Sequence, residues 1–161
     1  MEFSGPNGEV VMELTTKATL DDGARMVLGS LAQFDTSKTE LLEINFTGHP
    51  SSYSPYDTLL PMNGLHTLQL HQCTSPDIFI RALDPSKCLS GVVVCPKLEK
   101  LDMRNKAAVD IKDVIGMAAA RESRGATLNF LRIIHRWGGS TSAQSDVLEL
   151  KKHVFRLEWR Q

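Results

Sequence analysis

Residues Leu65 to Cys73 read LHTLQLHQC, a run of Leu65-x-x-Leu68-x-Leu70-x-x-Cys73. The central residues alternate, as a half-buried strand does. Leu68 and Leu70 point to one side, and Thr67, Gln69 and His71 to the other. Leu65 approaches the same buried side from the preceding turn. Cys73 is small enough to sit where the chain bends away and to meet a backbone group left unpaired there.

The spacing recurs. Leu41-x-x-Ile44-x-Phe46, Leu98-x-x-Leu101-x-Met103, Leu128-x-x-Leu131-x-Ile133 and Val154-x-x-Leu157-x-Trp159 repeat the triplet. First positions fall at 41, 65, 98, 128 and 154, separated by 24, 33, 30 and 26 residues. VVMEL, with Met12 and Leu14 inward, suggests a further unit upstream. Helical signals lie between the triplets. Leu20 to Phe34 carries Met26, Val27, Leu28 and Leu31 at mixed spacings, with Asp21 and Asp22 as caps; Ser75-Pro76-Asp77 predicts a helix start, with Pro76 at the first helical position, and Asp84-Pro85 a stop. Asp110 opens the clearest helix, with Ile111, Val114, Ile115 and Ala118 on one face; Gly125 ends it, and Arg121 and Arg124 suit its C-terminal end. The Gly/Ser/Thr-rich stretch from Trp137 to Ser145 reads as a loop, and Asp146 to His153 as a last short helix. Val92-Val93-Val94 reads as a short buried stretch.

The triplet has the spacing of leucine-rich repeats, whose period is about 20 to 29 residues. A single unit cannot bury its inner leucines alone, so neighbours stack. The expected fold is α/β: a leucine-rich-repeat-like solenoid with parallel strands on the concave face and helices on the convex face, one domain over residues 1–161. The competing fold is a three-layer α/β domain, whose strands would read as continuous apolar runs. Leu68-Gln69-Leu70, Leu101-Asp102-Met103 and Leu157-Glu158-Trp159 alternate, which predicts one wet face. A bare N-terminal edge near Met12 would favour self-association unless Met1 to Leu20 shields it.

Composition narrows the function. The 161 residues carry 18 Lys+Arg and 19 Asp+Glu, a net charge of -1. That balance gives no general attraction to nucleic acid or to an anionic membrane. No apolar run is long enough to span a bilayer. Met1 to Pro6 is short and polar, so no secretory leader is expected, and the protein is read as intracellular, cytoplasmic or nuclear. Cys73, Cys88 and Cys95 lack the number and spacing of a disulfide framework or a zinc site, and His66, His71 and Cys73 are too few for a metal. Neither G-x-x-x-x-G-K, G-x-G-x-x-G nor G-x-S-x-G occurs. The histidines at 49, 66, 71, 135 and 153 are scattered over different units. Asn45-Phe46-Thr47 has the pattern of a glycosylation acceptor but reads as ordinary strand. No catalytic residue, cofactor or metal is expected.

LHTLQLHQC, together with Ser90 to Leu101 (SGVVVCPKLEKL), Ser123 to Leu128 (SRGATL) and the closing Val154-x-x-Leu157-x-Trp159, resembles the F-box-like proteins of mushroom-forming fungi. The resemblance covers roughly residues 40 to 161. Those proteins pair an N-terminal F-box with a degenerate leucine-rich repeat region. The resemblance implies the target-recognition part of a Skp1–cullin–F-box (SCF) ubiquitin-ligase receptor. The chain departs from that pattern in having no F-box; its sole Leu-Pro pair is Leu60-Pro61. Binding to Skp1 is therefore expected only of a longer form that carries one. The Asn/Cys position is kept at Cys73 alone, with His49, Lys106 and Arg136 elsewhere.

The outward strand residues make the candidate partner-binding face: Gln69, His71, Lys100, Arg104, Phe130, Arg132, Arg156 and Arg160. In the last three units Lys100, Arg104, Arg132, Arg156 and Arg160 outweigh Asp102 and Glu158, a local balance of +3. An acidic protein surface fits it, since guanidinium groups grip carboxylates through two bonds. Phe130 and Ile134 would supply an apolar anchor. The plainer alternative is a solvated face whose charges pair with one another, as Lys100 or Arg104 could with Asp102. Two other readings of the whole chain stand beside the protein-binding domain: a truncated remnant with no partner of its own, and an enzymatic three-layer α/β domain.

Overall fold

Leu68 and Leu70 are fully buried, and each lies on a line of apolar side chains that crosses an entire sheet. A computed structural model of the protein describes residues 31, 35–45, 54–73, 75–88, 91–105, 109–135 and 144–160. Its strands are β1 (Leu41–Asn45), β2 (Thr67–His71), β3 (Lys100–Asn105), β4 (Leu128–His135) and β5 (Val154–Arg160). All pair in parallel, and their order in the sheet is their order in the chain. One line runs Leu42, Leu68, Leu101, Leu131, Leu157; the next runs Ile44, Leu70, Met103, Ile133, Trp159. Members on β2, β3 and β4 are no more than 1% exposed. Leu157 and Trp159, on the last strand, are only partly buried because no described strand lies beyond them.

The first triplet is shifted from its expected place. Its spacing sets Ile44 beside Leu68, whereas the sheet pairs Leu42 with Leu68 and Ile44 with Leu70. A shift of two residues leaves every side chain on the same face, so alternation alone does not detect it. The turn before each strand fixes the register. Thr39 N–H donates to Thr36 C=O, Leu65 N–H to Met62 C=O and Leu98 N–H to Cys95 C=O, at 3.0, 3.2 and 3.0 Å. Thr39 therefore stands where Leu65 and Leu98 stand. The next carbonyls continue the ladder: Glu40 accepts from His66 and Thr67, His66 from Glu99 and Lys100, and Glu99 from Phe130. Gly64 closes the first of these stacks. A Cβ there would lie 2.7 Å from the Ser37 carbonyl oxygen, so the two turns approach too closely for a side chain.

The described helices are α1 (Tyr56–Leu59), α2 (Asp77–Leu83), α3 (Ile111–Glu122) and α4 (Gln144–Leu150). The Asp110 carboxylate caps α3 by accepting from Lys112 N–H at 2.9 Å. Pro76 lies just outside α2, one residue earlier than expected, and Asp84 turns extended before Pro85. Helix α1 carries no signal the spacing revealed. Of the stretch 92–94 only Val94 is buried; Val92 is 42% exposed. Each helix packs on the next in sequence, and Leu59, Phe79, Leu83, Val114, Met117 and Leu150 join the strand leucines in one core. The helices thus cover one sheet face. Leu31 is helical and buried; the rest of the helix expected over Leu20 to Phe34, the unit at Met12 and Leu14, Phe46, and most of the loop from Trp137 lie outside the described residues.

Cys73, Cys88 and Cys95 are thiols rather than half-cystines. Cys73 Sγ reaches the His71 carbonyl at 3.7 Å, after Gln72 has turned the chain through a left-handed conformation. Among the described residues no helix is long and apolar enough to cross a membrane.

Candidate interaction face

The sheet register sets the outward residues in three rows. The first is Leu41, Thr67, Lys100, Phe130, Arg156; the second Glu43, Gln69, Asp102, Arg132, Glu158; the third His71, Arg104, Ile134, Arg160. The residues proposed from sequence therefore do share one face. Gln69, His71, Lys100, Phe130, Arg132 and Ile134 are half-buried, and Arg104, Arg156 and Arg160 are exposed. Among the described residues no helix covers this face.

Arg132 organises the middle of it. Its Nη1 donates to Asp102 Oδ2 at 3.0 Å and its Nε to Glu158 Oε2 at 2.8 Å, tying β4 to both neighbours. Arg104 adds two bonds to Asp102, at 3.2 and 3.0 Å, and Arg156 one to Glu158 Oε1 at 2.9 Å. Asp102 is only 1% exposed, which a carboxylate tolerates because two guanidinium groups satisfy both its oxygens. The hydrogen bond from Arg132 holds the Glu158 carboxyl below the usual glutamate range, and the same bond raises Arg132.

This network meets the plainer alternative part of the way. Three of the five cations answer the face's own carboxylates, which leaves Lys100 and Arg160 without a carboxylate partner among the described residues. Phe130 lies among the cations. Lys100 Nζ, Arg132 Cζ and Arg156 Cζ lie 5.7, 5.1 and 5.4 Å from its ring centroid. Bound on carboxylates, Arg132 and Arg156 lose little further side-chain freedom when a partner arrives. At the far side His71 Nδ1 lies 3.2 Å from Glu43 Oε1, while its Nε2 is buried with no hydrogen-bond partner among the described residues.

Two arginines do more than sit at a helix end. Arg121 lies in the last turn of α3, as expected. It is fully buried, with Nη1 donating to Val94 C=O at 2.8 Å and Nη2 to Cys95 C=O at 2.9 Å. Burial lowers its pKa and pushes the adjacent Cys95 thiol up to about 12. Arg124 Nη1 donates to Gly91 C=O at 2.8 Å. Together they bind the loop entering β3, and so set the position of Lys100. Spacing to backbone carbonyls cannot be seen in a sequence, and no motif announces it.

Among the described residues no group of His, Cys, Asp and Glu could hold a metal ion. Compared with protein-family models, curated proteins and solved structures, the chain finds no match.

Proposed function

We propose that the protein is a protein-binding domain, a degenerate leucine-rich-repeat-like solenoid whose open sheet face takes an acidic target. By resemblance it is the target-recognition part of an F-box ubiquitin-ligase receptor. The observation that carries the reading is Phe130, half-buried among Lys100, Arg132 and Arg156 on an uncovered face. An aromatic ring among cations offers apolar contact and carboxylate recognition at one point. The stacked leucine lines support the solenoid, because β2, β3 and β4 bury their inward residues in line with those of the neighbouring strands.

Selection from a random-peptide display library tests the proposal. The expected winners are rich in Asp and Glu, and a Lys100→Glu/Arg160→Glu variant, which leaves the Arg132 network intact, should no longer select them. Winners without acidic residues, or equal selection by the variant, would remove the acidic target. Selection of nothing above background favours a remnant with no partner. For the ligase reading, purified Skp1 should be captured by a longer form bearing an F-box and not by these 161 residues; a longer form that ignores Skp1 counts against it.

A further inference from the structure

Strand β5 is an edge of the sheet among the described residues, and along it apolar Phe155, Leu157 and Trp159 alternate with charged Arg156, Glu158 and Arg160. Phe155 is 90% exposed, and Leu148 on the adjacent α4 is 55% exposed. Leu157 and Trp159 are only partly buried. The backbone phase adds to this. Lys100 N–H donates back to His66 C=O, and Phe130 N–H to Glu99 C=O. In a parallel ladder a residue turns both backbone groups to one neighbouring strand, and the next residue turns its own to the other. Arg156 pairs with Phe130 and Glu158 with Arg132, so they face β4. Phe155 and Leu157 then direct their backbone groups to the open edge.

We infer that a second copy of this chain pairs antiparallel along β5, centred on Leu157. A closed dimer uses the same patch on both copies. A two-fold axis perpendicular to the sheet matches β5 with itself in opposite directions, and charge then selects the register. Centred on Leu157, each Arg156 stands opposite Glu158 of the second copy, and each Phe155 opposite Trp159 of the second copy. Centred on Arg156, two arginines oppose each other. Centred on Glu158, two glutamates do, and Arg156 meets Arg160. Like charges directly opposite are unfavourable, whereas opposite charges and aromatic pairs are favourable. VFRLEWR is thus self-complementary in one register. The resulting sheet continues from one copy into the other and brings two candidate interaction faces side by side. This inference is independent of what that face binds.

Sedimentation of the full chain over a wide concentration range should show a monomer–dimer equilibrium. Phe155→Lys places a charge on the edge without touching the core, and should weaken self-association about tenfold or more while leaving the circular dichroism unchanged. Register is tested by cysteine pairing in a Cys88→Ser background. Mixed Arg156→Cys and Glu158→Cys chains should form a disulfide between unlike chains under mild oxidation. Arg156→Cys alone should not, because like positions lie diagonally across the pair, beyond disulfide reach. A monomer at every concentration, a dimer indifferent to Phe155→Lys, or equal crosslinking of Arg156→Cys chains with themselves would each overturn the inference.

Discussion

Arg121 carries a guanidinium into the core, where carbonyls rather than carboxylates are its hydrogen-bond partners among the described residues: Val94 and Cys95 each accept one bond, and its Nε is buried without a partner there. Carrying a charge out of water is unfavourable, and two charge-assisted hydrogen bonds offset only part of it. What the arrangement achieves is position, since one planar fork holds two successive carbonyls of the loop that leads into β3. Arg121→Ala should therefore destabilise the fold by about 3 kcal/mol, from two orphaned carbonyls and a cavity. Arg121→Lys, with a single ammonium, should recover less than half of that. Urea unfolding of the three proteins checks it, and an Arg121→Ala chain as stable as the parent would show the fork to be dispensable. In the sequence Arg121 reads as a helix-end cation, because helical spacing tells which residues lie on one stripe and not which carbonyls lie beneath it. Asp102 shows a similar limit: alternation places it on the outward face, as the register does, but cannot show that the converging arginines bury it there.

The strands show where sequence reading succeeds and stops. Leu68, Leu101 and Leu131 fall into line as expected because a period of two, repeated between turns, admits one inward face. The register of β1 does not follow from that period, and neither do helix α1 or the links between strands. Those links are charged. Arg132 bridges β3 and β5 through Asp102 and Glu158, and the bridge has a definite pH dependence. Glu158 is held below the ordinary glutamate value of 4.5, chiefly by its hydrogen bond from Arg132. A carboxylate with a lowered folded pKa stabilises the fold fully above its unfolded value, and the contribution is lost as pH falls through the folded value. Glu158→Gln should accordingly be less stable than the parent at about pH 6, and the difference should shrink as pH falls below the ordinary glutamate value of 4.5. Denaturation midpoints measured across that window decide it; a gap that persists undiminished in acid would assign the loss to packing rather than to charge.

At the scale of the molecule, packing among the described residues is sequential: each strand pairs with its neighbours in the chain, and each helix rests on the next. In such an arrangement an interior unit is held from two sides and an end unit from one. Opening from the ends should therefore take less free energy than opening the middle. Amide exchange should be slowest in β2 and β3, whose inward leucines are fully buried, and faster in β5, where Leu157 and Trp159 are partly exposed. The same measurement distinguishes a free edge from a paired one. In dilute solution the Phe155 and Leu157 amides should exchange rapidly, since they face the edge rather than β4. At concentrations where a second copy docks, they should slow, while Arg156 and Glu158, already bonded within the sheet, should change little. Slowing confined to alternate residues of one strand is the mark of a new strand laid alongside. Uniform slowing of β5, or none as concentration rises, would mean that copies meet elsewhere or not at all.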